Sequence, residues 1–326
     1  MNDWSKRRRL EAAMAGEAVD RLPVALWRHL PGDDQDAAAL AAAHLKWQAD
    51  YDWDILKVGP ASSYSVIDWG VEDRWVGHIE GTRETTRYAV QQPGDWEALR
   101  PADPRRGMLA TQIEALRLVG KELGSKTPFI ATVFSPLSMA KHLAGNEVAL
   151  SHMRQSPDAF RRGLDTLTES IIRFIDAARA TGIAGIYYAV QHAAYPLLSR
   201  EEFAAFGQPY DLRVLASAAD LWCNIVHLHG KRVMFDQVAD YPAPLLNWHD
   251  REAGISLKQG LDQFPGAASG GVSQWTLHRE GPEGLLAEVA DARQQTGGRR
   301  LVLGTGCVIM ATTPLRNIRA LREAAE

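Results

Sequence analysis

The sequence predicts an α/β fold, a (β/α)8 TIM barrel with an N-terminal helical extension and an insertion after the second strand. Three observations predict it. Short β-rich runs alternate with longer stretches whose apolar residues recur at helical spacing. Eight such runs can be counted, and 326 residues hold eight β/α units with room for additions. The chain is 46% hydrophobic and 23% charged, which supplies a large core and argues against disorder.

The elements follow in order. An amphipathic helix over 5–14 opens the chain, and its Lys6-Arg7-Arg8-Arg9 run reads as a solvated face. Strands are expected at 23–27, 54–59, 128–135, 183–190, 224–229, 244–249, 267–272 and 300–304. Helices are expected at 37–51, 108–123, 157–181, 200–219, 230–240, 256–264 and 282–296. A last helix covers 314–325, with Pro314 suited to its first turn. The stretch 64–104 fits no barrel helix. It carries Trp69, Trp75, Trp96, Arg74, Arg83 and Arg87, and reads as an excursion with a β-hairpin over the barrel mouth. No low-complexity linker interrupts the chain, so 1–326 reads as one domain.

Composition excludes several classes. The net charge is -4, and no basic stripe marks a nucleic-acid reader. Glu11 and Glu17 interrupt the apolar stretch that a signal peptide would need. No run reaches the roughly 20 apolar residues of a membrane helix. Cys223 and Cys307 do not make a disulfide framework, and read as free thiols in a reducing cytoplasm.

In a parallel barrel, chemistry belongs to residues at the C-terminal strand ends. Strand one ends Trp27-Arg28-His29, and strand two carries Asp54 and Lys57. Strand four ends Gln191-His192, strand five His227-Leu228-His229-Gly230, and strand six Asn247-Trp248-His249-Asp250. Strand eight leads into Gly304-Thr305-Gly306-Cys307. Side chains at i and i+2 of a strand share a face, so His227 and His229 can converge on one metal. Cys307 could add a thiolate, and zinc accepts both donor types. A histidine pair that binds substrate or simply packs is the alternative. His44, His78, His142, His152 and His278 lie away from the strand ends considered and carry no functional expectation.

Several segments resemble the uroporphyrinogen decarboxylase superfamily. They are Asp20-Arg21-Leu22-Pro23-Val24 after the first helix, Thr181-Gly182-Ile183-Ala184-Gly185-Ile186, and Leu198-Ser199-Arg200-Glu201-Glu202-Phe203 with Pro209-Tyr210. Val226-His227-Leu228-His229-Gly230, and Gly304-Thr305-Gly306-Cys307 with Thr313-Pro314, complete the series. The resemblance spans nearly the whole chain in the right order and implies a barrel enzyme with one of two chemistries. The first is zinc-dependent methyl transfer between a corrinoid or methylated substrate and a thiol or other acceptor. Its members use a His-X-Cys pair and a later Cys as ligands. Here His227 and Cys307 match, and His229 stands in the third position. No Asp-X-His-X-X-Gly corrinoid segment occurs, so a corrinoid would arrive on a partner protein or free.

The second implied chemistry is cofactor-free decarboxylation of a porphyrin precursor. Arg28-His29-Leu30-Pro31 and Asp54-Ile55-Leu56 resemble the segments that hold substrate carboxylates and pyrrole nitrogens. The second upstream arginine and the glycine-flanked C-terminal histidine of those enzymes are absent. The expected site is therefore Zn2+ on His227, His229 and Cys307. Asp54, Arg28 and His249 are the expected catalytic groups. Trp27, His29, Gln191, His192, Asn247 and Asp250 are expected to line the substrate pocket. The expected partners are a small-molecule substrate, a corrinoid protein and a second copy of the chain. A non-catalytic barrel that binds a corrinoid or partner domain is the third reading.

Overall fold

The computed structural model describes residues 4–326. Seven parallel strands form one sheet: β1 (Leu56–Val58), β4 (Phe129–Phe134), β5 (Gly185–Val190), β6 (Ile225–Leu228), β7 (Leu245–Trp248), β8 (Ala267–Val272) and β9 (Leu301–Thr305). They lie side by side in chain order, each parallel to the next. Every residue in these seven strands is buried, as expected where helices cover a parallel sheet. The other two strands, β2 (Glu72–Arg74) and β3 (Glu84–Arg87), make an antiparallel hairpin.

The run expected at 23–27 forms an isolated parallel bridge, Val24 to Leu303, rather than a full strand. It is nonetheless bonded on both sides. Leu303 N donates to Pro23 O and Ala25 N donates to Leu303 O, while Asp54 N donates to Val24 O. Gly304 permits this approach, because a Cβ there would stand 2.5 Å from Ala25 O.

The helices largely follow the apolar periodicity, with three differences. The stretch 200–219 divides into Arg200–Phe206 and Gln208–Ser217, with Gly207 between them and Pro209 in the first turn of the second. The expected 230–240 helix shrinks to Phe235–Val238. Four helices are not expected: Pro136–Ala144 and Asn146–Gln155, which follow β4 and pack on each other, and the short Pro93–Ala98 and Gln274–Arg279. Ser135 caps the first and Pro136 begins it. No described helix is long and apolar enough to cross a membrane.

The opening helix, Lys6–Met14, departs from the solvated reading of its basic run. Arg9 is buried and bonds Asp20 and Asp54 at 2.7 Å each. Lys6 reaches Asp52 and Thr127. These contacts tie the helix to the N-terminal edge of the sheet.

Candidate metal centre and substrate cavity

Two neighbouring strands place most of the site by the same rule. On β6, His227 points to the same face as His229 two residues on. On β7, Asn247 lies in register with His227, and His249 follows two residues later. The period of two thus sets out four polar side chains at adjacent C-terminal strand ends. Cys307 enters from the turn after β9. Gly306 makes that turn possible: a Cβ there would stand 2.6 Å from Trp248 O and 2.7 Å from His249 Cα. Thr305 Oγ1 donates to Cys307 O and fixes the turn.

The result is a compact donor set. One ligand atom from each of His227, His229, His249 and Cys307 lies within 4.8 Å of the others. Cys307 Sγ is 3.9 Å from His227 Nε2 and 3.7 Å from His229 Nδ1. Tetrahedral zinc, with Zn–N about 2.1 Å and Zn–S about 2.3 Å, sets its N and S donors about 3.6 Å apart. His249 Nε2 is buried without a hydrogen-bond partner. The residues therefore fit a zinc ion, and the two Cys307 separations need only contract slightly.

Asn247 fixes the tautomer of His227. Its amide nitrogen donates to Ser269 O and Thr305 O. Its Oδ1 therefore accepts, from Tyr187 OH and from His227 Nδ1, each at 2.7 Å. His227 carries its proton on Nδ1 and keeps a lone pair on Nε2, facing Cys307. Burial disfavours charge throughout. It lowers the pKa of His229 to about 4 and of His249 to about 3, and takes that of His227 well below the ordinary range. Burial also pushes the Cys307 thiol up to about 12. Neutral imidazoles with free lone pairs are what a cation needs, and a cation would in turn favour the thiolate.

Above the cluster lies a cavity of about 460 Å³. His29, Gln191, His227, His229 and Cys307 line it, together with Asn146, which accepts from His192 Nε2 at 3.1 Å. The hairpin and its flanks contribute Glu80, Thr82, Arg83 and Tyr88, so part of the 64–104 stretch stands over the strand ends. Arg83 anchors it through Asp73 at 2.6 Å and Asp34 at 3.2 Å. The cavity also takes in residues to which the sequence assigned no role: Lys57, Lys141, Tyr187, His78 and His142. Tyr187 has a sequence signal, since 187, 189 and 191 share one strand face and all line the cavity. Lys141 and His142 have none, because the helix that carries them was not foreseen.

Besides His192 and Asn247, which back the cavity through Asn146 and through Tyr187 and His227 without lining it, four expected positions fall elsewhere. Asp54 precedes β1 and so lies at the N-terminal edge of the sheet, away from the cavity. It accepts from Arg9, Arg21 and the Val24 amide, and Arg28 is not its partner. Arg28 turns outward: its Nη2 donates to Ala311 O and its guanidinium lies over Trp47. Asp250 accepts from the Gly271 amide and pairs with Arg251 at 3.4 Å, behind the metal cluster. Trp27 packs edge-on against Tyr187, with ring centroids 5.1 Å apart, and backs the cavity wall without lining it.

A parallel α/β sheet with a His/Cys donor set and a cavity at its C-terminal edge is the class defined so far. Residues 78–326 match the model of the family described as "Uroporphyrinogen decarboxylase (URO-D)". The chain belongs to the uroporphyrinogen decarboxylase family. It is 24% identical to a methylcobamide:CoM methyltransferase of Methanosarcina barkeri, covering 100% of this chain and 99% of that protein. It is 25% identical to a uroporphyrinogen decarboxylase of Roseiflexus sp. (strain RS-1), over 75% of this chain and 72% of that one. Among solved structures, a methyltransferase from Methanosarcina mazei superposes with a TM-score of 0.87 at 21% identity, covering 99% of this chain and 98% of that chain. That likeness concerns the fold.

Proposed function

We propose that this protein is a zinc-dependent methyltransferase that moves a methyl group between a corrinoid or methylated substrate and a thiol or other acceptor. The observation that carries the reading is the convergence of His227, His229, His249 and Cys307 at the base of the cavity. His227, His229 and Cys307 would hold the metal with His249 beside them, which leaves a coordination position for the acceptor. Once bound, zinc supplies Lewis acidity that lowers the acceptor's pKa and makes a nucleophile available near neutral pH. The chain's own residues do the rest. Asn247 orients His227, and Tyr187 completes that bond network. His29 and Gln191 bound the space the substrate occupies.

In this reading residues 1–326 form one (β/α)8 catalytic domain, with the Val24 bridge as the first strand of the barrel. The two-sided bonding of 23–25 to β9 and to Asp54 supports that closure. A corrinoid would come from a separate protein or free, since the chain has no corrinoid segment of its own. The decarboxylase reading is weaker, because Asp54 and Arg28 both lie outside the cavity. Metal analysis of protein purified without a histidine tag tests the proposal. About one zinc per chain is expected. Cys307→Ser should lower metal content and turnover together, because a hydroxyl is a poor zinc ligand at neutral pH. Full activity after chelation, or in metal-poor Cys307→Ser protein, would overturn it.

A further inference from the structure

Among the described residues that line the cavity, Glu80 is the one carboxylate. It lies in the loop between β2 and β3, in a turn closed by Gly81 N donating to His78 O at 2.9 Å. The turn is fastened on two sides. Ala311 N, in the loop that follows Cys307, donates to Ile79 O at 2.7 Å. Gly81 takes φ of 80° against His29, where a Cβ would stand 2.8 Å from His29 Cβ. Glu80 is thereby held at the mouth, between the His29 segment and the Cys307 loop. It is half-buried, and among the described residues its side chain has no ion pair and no hydrogen bond, although two ammonium groups line the same cavity. Its charge acts on the Cys307 thiol.

A thiol that meets a metal gives up its proton, because the thiolate is the ligand and the nucleophile. Few groups in the cavity can take that proton. His227 and His229 use their lone pairs on the metal. His29 donates its Nδ1 hydrogen to Pro60 O at 3.2 Å, and burial lowers its pKa to about 4. Burial lowers His142 to about 3. Burial brings Lys57 down to about 8, so near pH 7 it is still an ammonium, a donor without a lone pair. Arg83 is a donor held by Asp34 and Asp73. Glu80 offers acceptor oxygens only. His78, two residues earlier, is exposed at the rim. Its Nδ1 accepts from the Glu80 amide at 3.3 Å and meets Thr82 Oγ1 at 3.0 Å, which keeps the ring beside the Glu80 turn.

We infer that Glu80 is a further catalytic residue, whose carboxylate takes the proton of a thiol acceptor as its sulfur approaches His227, His229 and Cys307. The inference rests on the metal-site reading. The S–H bond breaks, its electron pair stays on sulfur, and an O–H bond forms on Glu80. The proton then leaves Glu80 for bulk water through the open mouth, past His78. Nothing is oxidised or reduced. A hairpin loop outside the sheet thus supplies the base that the strand ends, with their neutral buried imidazoles, do not.

The test uses cobalt-substituted full-length protein and two small probes that differ in whether they arrive with a proton. 2-Mercaptoethanol is a thiol near neutral pH, and thioacetate is already an anion. Rapid mixing followed by thiolate-to-cobalt absorption gives the rate at which each binds. Glu80→Gln should slow 2-mercaptoethanol about 100-fold, the low end of general-base catalysis, and should not slow thioacetate. In that variant the 2-mercaptoethanol rate should climb about tenfold per pH unit as free thiolate accumulates, whereas the native rate should change far less. Glu80→Asp, which keeps the carboxylate, should restore most of the native rate. Equal slowing of both probes would indicate a structural effect and overturn the inference, as would no slowing of either. Absorption with both probes at rates that Glu80→Gln leaves unchanged refutes the base and keeps the metal reading. No absorption with either probe on cobalt-loaded native protein refutes the metal reading and the inference with it.

Discussion

Replacing Asp54 with asparagine should damage stability and spare chemistry. The carboxylate is fully buried and accepts from Arg9 Nη1 at 2.7 Å, Arg21 Nη1 at 2.6 Å and the Val24 amide at 2.8 Å. Asparagine keeps the shape but removes the charge, and its amide hydrogens face donors. Arg9 retains Asp20, whereas Arg21 retains the Leu22 carbonyl and, as a counter-charge, Glu326 at 3.3 Å, which is largely exposed. Breaking a buried pair from one side costs about 3–5 kcal/mol, because the other charge is left without compensation. The unfolding entropy of a chain of this length is about 0.7 kcal/mol per kelvin, so the melting temperature should fall by about 4–7 °C. Calorimetry of metal-loaded protein reads the loss. Zinc content and kcat/KM near 20 °C should stay within about twofold of native. Asp20→Asn is the control: its partner Arg9 keeps Asp54, and Asp20 is partly exposed, so its cost should be about 1 kcal/mol. A variant of Asp54 that melts like the native protein but loses turnover would place this carboxylate in the reaction and refute the structural role.

Asn247→Leu should lower zinc affinity about 10- to 100-fold through the freed His227 ring, as measured by competition with a chromophoric chelator. Unchanged affinity would show that the Asn247 bond does not orient the ligand. Gly306→Ala should lower metal content by forcing the Cys307 turn away from Trp248 O, and normal zinc stoichiometry would refute that. Acid should destabilise metal-free protein from about pH 6.5 downward, as denaturant titrations at a series of pH values would show. His44 and His192 are buried and neutral, with pKa lowered by burial to about 4 and about 3. The unfolded chain takes up their protons first. Stability is therefore flat above about pH 6.5 and falls by about 1.4 kcal/mol per pH unit for each histidine until the folded pKa is reached. A curve flat to about pH 5 would refute the assignment of neutral buried imidazoles.

What the sequence made legible follows from which patterns are local. The strand period placed His227 with His229, and the same period on the adjacent strand brings His249 to them; that second step needed the register of β6 with β7, which a single chain's spacing does not contain. Cys307 belonged to a loop, and its arrival depends on Gly306 meeting Trp248 across the sheet. Asp54 misled because it heads the run 54–59, and the first residue of a parallel strand lies at the N-terminal edge of the sheet, opposite the cavity. Arg28 misled for a different reason: the residue lies on the correct side of the sheet, but its side chain turns toward Trp47, and no periodicity encodes that rotamer. Lys141 and His142 were hidden because the run 136–155 was not read as helix. Its caps, Ser135 and Pro136, are the signal in the sequence that marks this helix and with it one wall of the cavity. Strand ends thus reveal the His/Cys donor set. The opposite wall of the cavity sits on a helix after β4 and on a hairpin, where only capping signals point to it.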